Sequence, residues 1–90
     1  MSEIISAKAG NNEPFVWCDF DGRVLEVWNA PSERYLANGL TLQKRKDEKD
    51  GGATIFLVPR GRRLELYFGP DEVPNMERLL AALVAAGMQQ

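Results

Sequence analysis

The sequence predicts an α+β protein in which an antiparallel sheet of four to five strands carries the C-terminal helix on one face. Two hairpin signals and one amphipathic segment predict this class: an Asp-Gly pair between apolar runs, an Arg-Gly pair between two further runs, and an apolar stripe near the C-terminus. The expected order is an optional first strand, two strands, a short helix, three strands and a final helix. The 90 residues are expected to form a single domain, 1–90.

The first hairpin is predicted over 15–20 and 23–28, because Asp-Gly is a preferred pair for a type I′ turn. Residues 1–12 precede it as an edge strand or a loose arm, with a turn over 10–14. A two-residue loop pairs Cys18 with Leu25 and leaves one aliphatic face. The opposite face then carries aromatic and acidic side chains, namely Phe15, Trp17, Asp19, Glu26 and Trp28.

The middle of the chain is expected to hold a short helix and then a strand. Pro31 to Ala37 fits a helix, since Pro favours the first turn and the following Asn38-Gly39 favours a left-handed stop. Alternating apolar and polar residues over 40–46 predict a strand, and 47–52 is a charged loop that ends in two glycines.

The second hairpin is predicted over 53–59 and 62–68, around Arg60-Gly61. A two-residue loop places Leu57 opposite Leu64 and gives an apolar face, whereas a three-residue loop would place Leu57 opposite Glu65. The first register is therefore favoured.

The final helix is predicted from about Pro74 to Gly87, because large apolar residues recur there at helical spacing. This stripe must be buried, and the expected site is one face of the sheet. Alanines at 81, 82, 85 and 86 flank the stripe and allow close helix packing, so a homodimer through this helix is the alternative.

Composition excludes several classes of function. The chain has no histidine and one cysteine, so neither a four-ligand zinc site nor a Ser-His-Asp or Cys-His arrangement can be assembled from it. No metal and no cofactor is predicted. The N-terminus lacks the basic start and apolar run of a signal peptide, and no apolar stretch approaches the 20 or so residues of a membrane span. A cytoplasmic protein without membrane contact is expected.

One short motif points towards phosphate chemistry. The run Cys18-Asp19-Phe20-Asp21-Gly22 resembles the DxDG signature that opens haloacid-dehalogenase-type phosphatases. The resemblance implies Asp19 as nucleophile, Asp21 as general acid and Mg²⁺ held between them and the phosphate. It covers five residues, and those enzymes need a larger doubly wound sheet that 90 residues without strand–helix alternation do not supply. A hairpin turn is the favoured interpretation, and no catalytic residue is predicted.

The leading hypothesis is a non-enzymatic protein-binding module that acts as an inhibitor, adaptor or regulatory subunit. Trp17 and Trp28 would supply anchor area, while Asp19 and Glu26 would select a basic partner. Small acidic proteins of this class are common among phage and mobile-element inhibitors. The alternative for the same face is burial, under the short helix or under the N-terminal arm.

The rival function is nucleic-acid binding through the segment 40–63, which carries seven basic and three acidic side chains. Phe56 and Tyr67 could stack on bases. If the flanking strands pair as a hairpin, the basic residues lie in two groups at opposite ends, roughly 20 Å apart. The candidate residues are Lys44, Arg45, Lys46, Arg60, Arg62 and Arg63.

Overall fold

The structure is a computed structural model that describes residues 3–10, 15–28, 31–59 and 61–90. The described residues form seven strands in two antiparallel sheets, with one α-helix at the C-terminal end. The first sheet has the spatial order β1 (Ile5–Ala9), β2 (Val16–Phe20), β3 (Val24–Trp28) and β4 (Glu33–Leu36). The N-terminal segment is thus the predicted edge strand, while most of the predicted turn over 10–14 lies outside the described residues.

The second sheet has three strands in the order of the chain. These are β5 (Thr41–Asp47), β6 (Ala53–Val58) and β7 (Leu64–Phe68). A 3₁₀ turn at Pro70–Glu72 leads into α1 (Val73–Ala85). The predicted α+β class is confirmed, with the strands divided between two sheets rather than placed in one.

The predicted short helix over 31–37 is wrong. Four of its seven residues, Glu33–Leu36, form β4, which pairs with β3 and places Tyr35 opposite Leu25. A single 3₁₀ turn at Ala37–Gly39 follows. The alternation of half-buried and exposed residues along β4 suits a strand, and β4 pairs with the free edge of β3, so tertiary pairing outweighs the local helix signals.

The first hairpin differs from the prediction by a slip of two residues. Cys18 lies opposite Val27 instead of Leu25. The cause is the Asp21 carboxylate, whose Oδ1 accepts the backbone N–H groups of Arg23 and Val24 at 2.9 and 2.8 Å. Gly22, with φ of 100°, therefore takes the first loop position. Side chains alternate with a period of two, so this slip leaves every residue on its predicted face.

The second hairpin has the predicted register. Leu57 lies opposite Leu64, and Ile55 lies opposite Leu66. These residues are buried, as the apolar pairing requires.

The two sheets meet along β1 and β7. The Gly10 N–H donates to the Tyr67 carbonyl oxygen at 2.7 Å, which extends the hydrogen bonding from one sheet to the next. On the same side, the Glu72 carboxylate accepts the Lys8 backbone N–H at 2.8 Å. The C-terminal tail likewise follows β5, because Gln89 exchanges two backbone hydrogen bonds with that part of the chain.

One apolar core collects the inner side chains of both sheets and of α1. Its largest fully buried members are Phe20, Leu25, Leu40, Ile55, Leu57, Phe68, Met76, Leu79 and Leu83. The helix thus buries its apolar stripe against its own sheets, as expected. A homodimer through α1 stays a prediction.

Candidate functional site

The outer face of the first sheet brings together four of the five residues predicted for protein binding. Trp17 lies directly opposite Trp28, and Asp19 lies directly opposite Glu26. We call this surface the aromatic–acidic face. It consists of Ile4, Ser6, Lys8, Trp17, Asp19, Val24, Glu26, Trp28, Arg34 and Leu36.

Exposed apolar area is concentrated on this face. Among the described residues, four large hydrophobic side chains are highly exposed: Ile4 at 62%, Trp17 at 50%, Trp28 at 49% and Leu36 at 48%. All four belong to the aromatic–acidic face. Scattered exposed hydrophobic residues are normal on a protein surface, whereas their collection on one sheet face marks a candidate interaction site.

The predicted alternative of burial under neighbouring segments is not what the described residues show. Tyr35 and Ile5, two of the residues expected to cover the face, lie on the inner side of the sheet, where they pack against the core. Leu36 and Ile4 belong to the aromatic–acidic face but are themselves exposed. Both tryptophans therefore keep about half of their surface accessible to solvent.

Hydrogen bonds fix the orientation of one tryptophan. The Trp28 indole N–H donates from Nε1 to Asp19 Oδ2 at 2.8 Å, and the Ser6 hydroxyl donates to Asp19 Oδ1 at 2.6 Å. Each oxygen of Asp19 thus has a partner within the sheet. Because its polar atom is satisfied internally, the exposed part of the Trp28 ring is free for apolar contact.

A shallow concavity opens between β1 and β4 on this face. Its volume is about 350 Å³, and it is lined by Ile4, Asp19, Asp21, Val24, Glu26, Trp28 and Arg34. The Arg34 guanidinium contacts Glu26, with Nε 3.3 Å from Oε2. The lining of the concavity therefore combines three carboxylates, one guanidinium, the Trp28 side chain and two aliphatic side chains.

Phe15, the fifth predicted residue, lies at the margin of the face. It is half-buried, and the Lys8 ammonium lies 4.4 Å from the centroid of its ring. Both residues border a second depression, of about 330 Å³, which reaches towards Tyr67 of β7. Phe15 thus extends the aromatic surface towards the second sheet instead of joining its centre.

Ser6 and Arg34 were not predicted at this face, and Ile4 and Leu36 were expected there only as possible cover for the aromatic rings. Arg34 and Leu36 were hidden by the helix predicted over 31–37. The sequence carries no strand signal here, because two polar residues precede two apolar ones over Glu33–Leu36, and the alternation appears only in their burial.

The two aspartates of the phosphatase-like motif occupy structural positions. Asp19 accepts the two hydrogen bonds described above, and Asp21 caps the hairpin turn. The backbone N–H groups of Val24 and Arg23 hold the pKa of Asp21 below its ordinary range. A general acid needs the opposite shift, so Asp21 does not fit that role. Within the described ranges, no three acidic or cysteine side chains are grouped closely enough to hold a metal ion.

The thiol of Cys18, the one cysteine of the chain, is buried on the inner face of the first sheet. Burial, with a smaller effect from Asp19, raises its pKa to about 12. A thiol of this kind stays protonated at neutral pH and is a poor nucleophile.

The basic residues of the rival hypothesis are divided among several surfaces. Lys44 and Lys46 lie on the outer side of the second sheet. An irregularity in β5 just before Lys44 turns Arg45 to the other side, where it contacts Glu77 of α1 at 3.4 Å and Asp47 at 3.3 Å.

At the far end of the second sheet, Arg62 forms an ion pair with Glu33 of β4. The Arg63 guanidinium lies over the Phe56 ring, 4.3 Å from its centroid. Arg60 lies outside the described residues. The basic residues are thus separated into two groups, as the hairpin predicts, and two of the arginines are paired with carboxylates.

Comparison of the chain with known protein families, curated proteins and solved structures found no match. In the part of the chain that the structure describes, no helix is long and apolar enough to cross a membrane.

Proposed function

We propose that the chain is a non-enzymatic protein-binding module whose docking surface is the aromatic–acidic face. The observation that carries this proposal is that the four highly exposed large hydrophobic side chains among the described residues all lie on that single face. Leaving apolar area in water costs about 25 cal/mol per Å², so such a cluster is disfavoured in a protein that works alone.

The two tryptophans are the anchors of this surface. Tryptophan is enriched among residues that dominate binding energy, and two adjacent indole rings offer a large apolar contact area. The bond from Trp28 to Asp19 holds one ring in place before a partner arrives, which lowers the entropic cost of binding.

The dimensions of the face suit a short segment of a partner. Four strands about 4.8 Å apart and five residues long give a footprint of about 19 Å by about 16 Å. An extended peptide segment or a protruding loop of another protein fits its dimensions.

Nucleic-acid binding has weaker support. Single-stranded nucleic acids are bound by aromatic rings that lie among basic side chains. Here the exposed indole rings lie beside three carboxylates, while most of the basic candidate residues are on the second sheet. Stacking groups and phosphate-binding groups are therefore on different surfaces.

A capture experiment with matched variants tests this proposal. Tagged protein is incubated with native lysate at moderate salt, with and without nuclease, and compared with the Trp17→Ala/Trp28→Ala double variant. Glu65→Ala, an exposed change on the second sheet, serves as the control. We expect a near-stoichiometric protein partner that the control retains, that the double variant loses, and that nuclease does not remove.

Circular dichroism must show that the double variant stays folded. If the folded double variant retains the partner, the aromatic–acidic face is not the docking surface. If nucleic acid alone is captured and is lost on digestion, the rival function on the basic segment replaces the proposal.

A further inference from the structure

The concavity in the aromatic–acidic face already contacts one guanidinium group, that of Arg34. The two members of this ion pair differ in exposure. The Glu26 side chain is 17% exposed, whereas the Arg34 side chain is 72% exposed. The carboxylate thus belongs to the floor of the concavity, and the guanidinium reaches it from the solvent side. Such a pair is weak, because water competes for the exposed guanidinium.

The carboxylates around Glu26 carry more negative charge than one arginine side chain neutralises. Asp19 lies directly opposite Glu26 on the neighbouring strand, and like charges in that position repel each other. Asp21 lines the same concavity. Three carboxylates against one guanidinium leave a formal excess of two negative charges.

The wall of the concavity also suits a planar cation. The Trp28 ring lines it, and a guanidinium group stacks favourably on an indole face while it donates hydrogen bonds at its edge. Ile4 and Val24 offer apolar contact for the methylene groups of a long side chain.

We propose that an arginine side chain of the partner binds in this concavity, on Glu26 and against the Trp28 ring, and displaces Arg34. This inference rests on the proposed function, since it assigns the chemistry of the group that docks on the aromatic–acidic face. Arg34 acts as an internal competitor: it occupies the carboxylate in the free protein and swings into solvent in the complex.

We expect loss of the ion pair between Arg34 and Glu26 to increase the affinity for an arginine ligand. Removing Arg34 frees Glu26 for the incoming guanidinium, so an arginine ligand is expected to bind about twofold to fivefold more tightly, the range that corresponds to an exposed ion pair. Removing the charge of Glu26 is expected to weaken binding. A purely structural role of the pair predicts no gain on removal of Arg34.

The test uses the blocked peptide acetyl-Gly-Leu-Arg-Leu-Gly-amide and the isotope-labelled full chain. Nuclear magnetic resonance follows the indole N–H signals of Trp17 and Trp28 during the titration, which measures weak dissociation constants directly. The variants are Arg34→Gln and Glu26→Gln. Arg23→Gln is the matched control, because it removes the same charge from an exposed turn residue that does not line the concavity.

We expect the Trp28 signal to shift, Arg34→Gln to bind more tightly, Glu26→Gln to bind more weakly, and Arg23→Gln to match the unmodified chain. A second peptide carries citrulline, a neutral side chain of the same shape, and is expected to lose most of the affinity. An Arg34→Gln variant that binds no more tightly than Arg23→Gln overturns the displacement.

Two further outcomes separate this inference from the proposed function. If both peptides shift the Trp28 signal with equal affinity, the arginine site is wrong while the docking surface stands. If neither peptide shifts a signal of the face, the arginine site is likewise overturned, and the capture experiment judges the surface independently.

Discussion

The outer faces of the two sheets differ in how far their aromatic side chains are exposed to solvent. On the first sheet, Trp17 and Trp28 are about half exposed. On the second sheet, Phe56 occupies the central strand, yet it is only 9% exposed because the Arg63 guanidinium lies over its ring. On the second sheet a neighbouring side chain thus covers the aromatic ring, whereas on the first sheet the rings stay accessible.

The course of the neighbouring long side chains explains this difference. Phe56 lies opposite Lys44 on one side and Glu65 on the other, and such side chains lay their methylene groups along an apolar ring. Trp17 also lies opposite a lysine, Lys8, but the ammonium of Lys8 lies over the Phe15 ring instead. Both indole rings therefore keep about half of their surface exposed.

The two faces also differ in how their charges are arranged. Three carboxylates and the Arg34 guanidinium line the concavity of the aromatic–acidic face. The outer face of the second sheet mixes both signs, because basic side chains lie there together with Glu65 and with the carboxylates that bond to Thr54 and Tyr67. The local excess of negative charge is therefore a property of the concavity on the first sheet.

The largest expected effect compares one aromatic residue from each face. Phe56→Ala removes a covered ring and is expected to destabilise the fold by about 3 kcal/mol, as for a core phenylalanine. Trp28→Ala removes a larger but half-exposed ring and is expected to cost about 1 kcal/mol, the upper range for a cross-strand contact. Urea unfolding followed by circular dichroism measures both. Equal losses of stability would remove the distinction between the two faces.

The residues that share each face of the first hairpin could be predicted from the sequence without knowledge of the exact turn. The Asp-Gly hairpin slips by two residues, yet face assignments depend only on whether positions are odd or even. The second hairpin was predicted with its register because only one loop length paired leucine with leucine. The strand Glu33–Leu36 was missed, since its two polar and two apolar residues do not alternate, while a proline and an Asn-Gly pair stand at helix boundaries.

The candidate site was predicted only in part for a different reason. Strand pairing brings Trp17, Asp19, Glu26 and Trp28 together in any register that keeps their parity. Exposure of the face depends on which distant segments cover it, and periodicity carries no information about that. Arg34 could be assigned to the site only once residues 33–36 were known to form the fourth strand of the first sheet.

A second, smaller effect concerns the cover over Phe56. Arg63→Ala removes the guanidinium from the ring and is expected to cost about 1 kcal/mol, the size of an exposed cation–π contact. The second face would then resemble the first, with an accessible aromatic ring, and would bind an apolar dye more strongly. Arg78→Ala, on the exposed side of α1, is the control for loss of charge. Unchanged stability and dye binding would show that the neighbouring strands alone cover Phe56.

The smallest expected effect concerns Tyr67 of β7, whose hydroxyl group forms a hydrogen bond. This hydroxyl donates to the Asp50 carboxylate, and that hydrogen bond raises the pKa of Tyr67 and lowers the pKa of Asp50. The contribution to folding is present between the ordinary values of about 4 for the carboxyl and about 10 for the phenol. It is lost as the pH falls through the lowered pKa of Asp50 or rises through the raised pKa of Tyr67.

Ultraviolet absorbance of ionised tyrosine measures this arrangement directly. In the unmodified chain both tyrosines are expected to titrate above the ordinary range, because burial, followed by the bond to Glu33, raises the pKa of Tyr35 as well. Asp50→Ala is expected to lower the pKa of one tyrosine and leave the other unchanged. Asp71→Ala, which removes another carboxylate from the same depression, is expected to change neither. Coincident titration curves for the two variants would show that Tyr67 is as loosely held as the exposed rings of the first sheet.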